Sequence, residues 1–382
     1  MTTDVTNHER LLIAETTMKN ASMIAAILLW IVVNARAQEV LHRQVIPAGG
    51  GTRQVSDGVM ARVFAEVKTP FKYGIVIRGE QGDAVDCPSV FRHAGHWYMV
   101  YILMNKVGYE TQLATSDDLL SWRTLGKILP FREGTWDARQ AAGFVALEDP
   151  EWNGSHQLQK FDGKYWLSYC GGALPGYETD PLAIGVAWTH QPDRPRPWTR
   201  LEHPVLSKDQ PDVRDFERLT QYKSNIILDR AETLGFPLVM FYNAKSVSGY
   251  ERIGMAVSRD MKTWLRYGQE PVIDNGKGIS GDPQIVRMGD VWVMFYFGAF
   301  WKPGAFDTFA CSYDLVHWKK WDGPDLVRPS EPWDKQFAHK PWLLKHDGVV
   351  YHFYCAVGDQ GRVIALATSR DMRRQTEVQS AQ

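Results

Sequence analysis

Pro70-Phe71-Lys72-Tyr73-Gly74-Ile75-Val76-Ile77 is an aromatic and β-branched stretch that reads as one β-strand with no partner before it. It matches Trp264-Leu265-Arg266-Tyr267-Gly268 through Val272-Ile273, which closes a repeating unit in the middle of the chain. The unit consists of a strand with a polar start, a Gly or Asp-Gly turn and an aromatic strand. A third strand ending in Ser-x-Asp, a Trp and a closing strand follow. Aromatic second strands recur at residues 97–101, 165–169, 238–242, 292–296 and 350–354. First strands are expected at 88–91, 158–161, 225–228, 283–286 and 341–344. The last copy stops at Ser369-Arg370-Asp371, with no Trp and no fourth strand. The strand left over at one end therefore fits the deficit at the other. This predicts an all-β, five-bladed β-propeller of four-stranded antiparallel blades, the last blade closed by an N-terminal strand. A β-sandwich or solenoid with incidental repeats is the alternative.

Composition fits a fold of this kind. With 44% hydrophobic residues and 23% charged among 382, the chain can build a large core and carries no disorder signature. Lys and Arg number 43 against 44 Asp and Glu, so no basic face is expected for nucleic acid or for a polybasic membrane contact. Fifteen Trp suit both repeated sheets and platforms for flat sugar faces.

Residues 1–17 read as a polar upstream extension. Met18-Lys19-Asn20-Ala21-Ser22, the apolar run 23–33 and Asn34-Ala35-Arg36-Ala37 have the layout of a secretory signal peptide, with the natural start at Met18 and cleavage near Ala37. The run is short for a membrane anchor, which needs about 20 residues. Periplasmic or secreted localisation follows as an expectation, with a lead-in at 38–69, the catalytic domain at 70–375 and a tail at 376–382. Cys87, Cys170, Cys311 and Cys355 form no CxxC pair, and each sits in a strand-like apolar run as a small hydrophobe. No Walker loop, GxSxG elbow or HExxH appears.

In a propeller the inner strands converge on a central channel, so their polar starts are the candidate site. They are Asp83-Ala84-Val85-Asp86-Cys87-Pro88, Ser280-Gly281-Asp282-Pro283 and Phe337-Ala338-His339-Lys340-Pro341. Arg214-Asp215-Phe216-Glu217-Arg218 precedes the third. Asp86, Glu217, Asp282 and His339 are the expected catalytic groups. Lys340, Trp301, Phe300, Lys245 and Arg252 are the expected substrate contacts. The repeated Ser-x-Asp…Trp element, with Asp118, Asp260, Asp314 and Asp371, reads as structural.

These starts and blade endings, with Phe241-Tyr242-Asn243-Ala244-Lys245 and Phe295-Tyr296-Phe297-Gly298-Ala299-Phe300-Trp301, resemble the five-bladed glycoside hydrolases around family 43 over residues 70–375. The resemblance implies Asp86 as general base, Glu217 as general acid and inversion at the anomeric carbon. The helper Asp of blade two has no match: Trp152-Asn153-Gly154-Ser155 stands in its place, with Asp149 and Glu151 just upstream. Some relatives place a His like His339 at the pocket centre as an acid or metal ligand, so a structural calcium ion near His339 is an expectation. No organic cofactor is expected. The expected function is exo-acting cleavage of plant or algal oligo- or polysaccharides. A glycoside phosphorylase would need basic side chains for phosphate, and a non-catalytic glycan-binding propeller would act through Trp alone.

Overall fold

A computed structural model describes residues 53–373. The proposed extension, signal peptide, Met18 start and tail at 376–382 lie outside the described residues. The chain is almost entirely β, and each copy of the repeat becomes a four-stranded antiparallel group. The first group pairs Ala84–His93, His96–Met104, Tyr109–Ser116 and Arg123–Leu129. The third pairs Thr220–Leu228, Leu238–Lys245, Glu251–Ser258 and Trp264–Arg266. The fourth runs through Ile279–Met288, Val291–Ala299, Ala305–Ser312 and Lys319–Lys320. Single parallel bridges, Tyr109↔Gln140 and Glu251↔Ile279, link adjacent groups.

The second group departs from the sequence reading. Its first strand is Gln140–Val145 rather than 158–161, where only the isolated bridges Glu148↔Leu158 and Phe161↔Lys164 form. The small residues of Gln140-Ala141-Ala142-Gly143 hid it. They are small because the strand is tightly packed on its neighbour: a Cβ on Gly143 would stand 3.0 Å from Thr111 Oγ1.

The last group places Phe337–His346, Val349–Gly358 and Gly361–Thr368 in order, and Phe71–Ile77 pairs antiparallel with Gly361–Thr368. Phe71 faces Thr368, and Ile77 faces Ile364. Trp342, 1% exposed, ties this group to the first by donating from Nε1 to Val90 O at 3.1 Å.

The Ser-x-Asp…Trp elements act as turn clamps. Ser116 Oγ accepts from Asp118 N and Leu119 N, Asp118 Oδ1 accepts from Leu120 N and Ser121 N, and Trp122 Nε1 donates to Leu119 O. The same bonds recur around Asp260, and four of the five recur around Asp314. The residue between is left-handed each time, with φ of 66° at Leu119, 64° at Met261 and 67° at Leu315. Such backbone is costly for any residue with a Cβ, so the clamp offsets local strain.

The lead-in holds a helix that the sequence reading did not anticipate, α1 at Asp57–Val67, capped by Ser56. Its buried face of Val59, Met60, Val63 and Val67 packs on Trp152, Val286, Val293 and Phe309. Trp152 thus belongs to a structural contact, with Nε1 donating to Glu66 at 2.9 Å.

Trp342→Ala removes both a large buried ring and the bond across the junction. The expected loss is about 3–5 kcal/mol, read from urea unfolding; a change under about 1 kcal/mol would show that the junction does not depend on it.

Candidate active site

Four inner strands carry the same defect. Their pairing slips between Asp86 and Ser89, Gln221 and Ser224, Gly281 and Gln284, and His339 and Trp342. Proline follows at three of these bulges, where its missing N–H costs no ladder bond. The residues before the prolines, Cys87, Asp282 and Lys340, have φ of 48°, 56° and 64°. A bulge redirects its side chains out of the ladder. All four slips point residues into one cavity of about 230 Å³, lined by Asp86, Cys87, Tyr222, Lys223, Asp282, His339 and Lys340.

Asp86 is 2% exposed, and both of its oxygens are engaged. Its Oδ1 accepts from Cys87 N at 2.8 Å, and its Oδ2 accepts from Lys340 Nζ at 2.8 Å and Arg362 Nη1 at 2.9 Å. Burial alone would raise this carboxyl, but Lys340 and Arg362 hold it far below the usual carboxylate range. Lys340 also donates to Glu178 Oε1 at 3.2 Å, so one ammonium spans two carboxylates. Asp282 behaves oppositely: burial, helped by the charges of Asp86 and Glu178, pushes it up despite Lys340 and Lys223.

Glu251, also on the cavity wall, is pushed up to about 8, first by burial and then by the charge of Glu178. Asn243 Nδ2 donates to its Oε2 at 2.9 Å, leaving Oε1 for a proton. His339 is kept neutral by burial and by Arg362 and Lys340. With Nδ1 donating to Cys355 O at 3.2 Å, its Nε2 is the acceptor. Phe297 meets the ring edge-on at 5.2 Å.

Of the residues expected from sequence, Asp86, Asp282, His339, Lys340 and Phe300 line the cavity. Glu217, expected as the general acid, does not. It closes the 3₁₀ turn Asp215–Glu217 and is locked between Arg214 Nε at 3.0 Å, Arg266 Nε at 2.6 Å and the Tyr242 hydroxyl. Burial would raise it, but the two guanidiniums hold it low, the wrong direction for an acid. Trp301 is turned away, its Nε1 donating to Ile279 O at 2.8 Å and its ring edge-on to Phe306. Arg252 pairs with Asp274 at 2.9 Å, outside the wall. Lys245 supports rather than lines it, donating to Tyr222 Oη and Asp180, each at 2.9 Å.

Glu178, Glu251, Tyr109, Tyr177, Lys223 and Arg362 are wall residues that the sequence reading missed. Glu251 and Tyr109 open the third strands of their groups, one strand away from the starts that were inspected. Tyr177-Glu178 was visible as an aromatic–acid pair directly after the turn-rich run Gly171-Gly172-Ala173-Leu174-Pro175-Gly176. The surroundings of His339 do not fit a divalent cation. Lys340 and Arg362 flank it, and among the described residues no cluster of three or more His, Cys, Asp or Glu could hold a metal. The four cysteines are buried and unpaired.

No family model matches the chain, and no curated protein does. Solved structures do. One described as "Glycoside hydrolase" is 46% identical, covers 84% of this chain and 97% of its own, and has a TM-score of 0.81. Another, described as a BT0996 complex with RGII, is 46% identical over the same shares, with a TM-score of 0.80. A thermostable family-43 glycoside hydrolase, 13% identical over 78% of this chain and 91% of its own with a TM-score of 0.56, shares the fold. The chain belongs to the glycoside hydrolases. Its fold is the β-propeller that it shares with the family-43 enzyme.

Asp86→Ala strands two buried cations. The expected cost is about 3–5 kcal/mol of folding stability in a urea titration; a cost below about 1 kcal/mol would show that Lys340 and Arg362 find other partners.

Proposed function

We propose that this glycoside hydrolase is an exported, exo-acting, inverting enzyme on a five-bladed β-propeller. Its substrate on this reading is a plant or algal oligo- or polysaccharide. The repeat, the four-stranded groups and the pairing of Phe71–Ile77 with the last group support the blade count. The RGII complex of the neighbour supports a glycan ligand. Residues 18–37 support export, and no helix among the described residues is long and apolar enough to cross a membrane.

One observation carries the catalytic reading. Glu251 and Glu178 line the same cavity, and the charge of Glu178 helps keep Glu251 protonated near neutral pH. Two carboxyl groups with divergent proton affinities are what glycoside cleavage needs. Glu251 protonates the leaving oxygen. Glu178, its side chain 29% exposed and oriented by Lys340, is the carboxylate that activates water. Asp86 takes the place of a charge anchor instead of a base, because its oxygens are occupied and its proton affinity is very low. Asp282 and neutral His339 contact the sugar. Inversion rests on the family resemblance, and proton NMR of the first-formed product is expected to show the opposite anomer; the same anomer would reassign Glu178 as a nucleophile.

A phosphorylase is disfavoured because Lys340 and Arg362 are committed to Asp86 and Arg252 to Asp274, which leaves Lys223 alone among the described cavity cations for a phosphate. A Trp-based lectin is disfavoured because Trp301 is turned away from the cavity.

Because Glu251 acts protonated, activity is expected to fall as pH rises through about 8. Glu251→Gln should cut turnover roughly 10²–10⁴-fold on glycosides with poor leaving groups, and much less on activated aryl glycosides. An alkaline limb that persists in Glu251→Gln would assign the acid elsewhere.

A further inference from the structure

Three wall residues of the cavity hold side-chain polar atoms without a hydrogen-bond partner among the described residues: Lys223 Nζ, Asn243 Oδ1 and Tyr109 Oη. Lys223 stands out. It is 1% exposed, sits at an inner-strand bulge, and its ammonium lies 5.5 Å from the Phe144 ring and 5.9 Å from the Trp342 ring. The other cavity cations have carboxylates in hydrogen-bond contact; Lys223 has none. A buried unpaired ammonium is costly, and a group carried at that cost in a binding cavity asks for a partner from the ligand.

Two of these atoms also say what that partner is. Lys223 can only donate, and Asn243 Oδ1 can only accept. A carboxylate would satisfy the first and leave the second unpaired. It would also enter a space already bounded by Asp86, Glu178, Glu251 and Asp282. A hydroxyl both accepts and donates, so adjacent hydroxyls answer both groups. We propose that Lys223 is the specificity-determining residue of the cavity, donating to hydroxyl oxygens of a neutral terminal sugar whose hydroxyl hydrogens are taken by Asn243. This deepens, and rests on, the reading of the cavity as the glycoside-cleaving site.

The test compares wild type, Lys223→Met and Glu251→Gln on 4-nitrophenyl glycosides of neutral pentoses and hexoses and on glucuronide and galacturonide. Melting temperatures are measured without sugar. Removing an unpaired buried charge should raise the melting temperature of Lys223→Met while KM rises roughly ten- to hundredfold, more than any fall in kcat. A merely structural lysine would lower the melting temperature and leave KM unchanged, and that pair of results overturns the proposal. Wild-type preference for a uronide, lost in Lys223→Met, overturns the neutral-sugar assignment. If Glu251→Gln keeps full activity on poor leaving groups while Lys223→Met behaves as expected, the acid assignment fails and the role of Lys223 stands. On a panel without a substrate the melting temperature decides, and a fall in Lys223→Met counts against the proposal.

Discussion

The ion cluster of Asp86, Lys340 and Arg362 is the constraint on which the rest depends. Asp86 comes from the first group of strands, and Lys340 and Arg362 come from the last. The contact that joins the two ends of the repeat is therefore also the floor of the cavity. Two buried cations on one carboxylate leave a surplus positive charge, and Lys340 relays it to Glu178 at 3.2 Å. Stability and the cavity share the same atoms here: a change that loosens the junction also loosens the carboxylate of Glu178 on the cavity wall.

Backbone geometry explains how simple repeats make an unlike set of side chains. Four inner strands follow the same ladder until a bulge interrupts it, and the residues at the bulges are unlike: Cys87, Lys223, Asp282 and Lys340. The second group has no slip in its first strand, and Gln140–Val145 contributes the small Ala142 and the ring of Phe144 to the wall. Asymmetry in a symmetric scaffold arises from single residues at equivalent positions.

Much of the fold was legible because aromatic strands, Asp-Gly turns and the Ser-x-Asp…Trp clamp each have a local physical cause. Gln140–Val145 was not, since close packing selects small residues and erases the pattern. The site was half legible. Asp86, Asp282, His339 and Lys340 announced themselves beside or before a proline on the inner strands. Glu217 misled, because a Glu flanked by Arg214 and Arg218 looks reactive in one dimension, whereas Arg266, 49 positions away, completes its neutralisation. Glu251 and Glu178 owe their significance to each other across 73 residues, and no local pattern encodes that proximity.

The pairing of Phe71 with Thr368 spans 297 positions. An extended segment made early must wait for a mate made last, its hydrogen-bonding edge open throughout. Contacts of such separation are slow to form. Completion of the sheet is then a late event in biogenesis, and the active cavity, whose floor needs both ends, comes into being with it. An incompletely synthesised chain would own most of its blades and none of its catalysis.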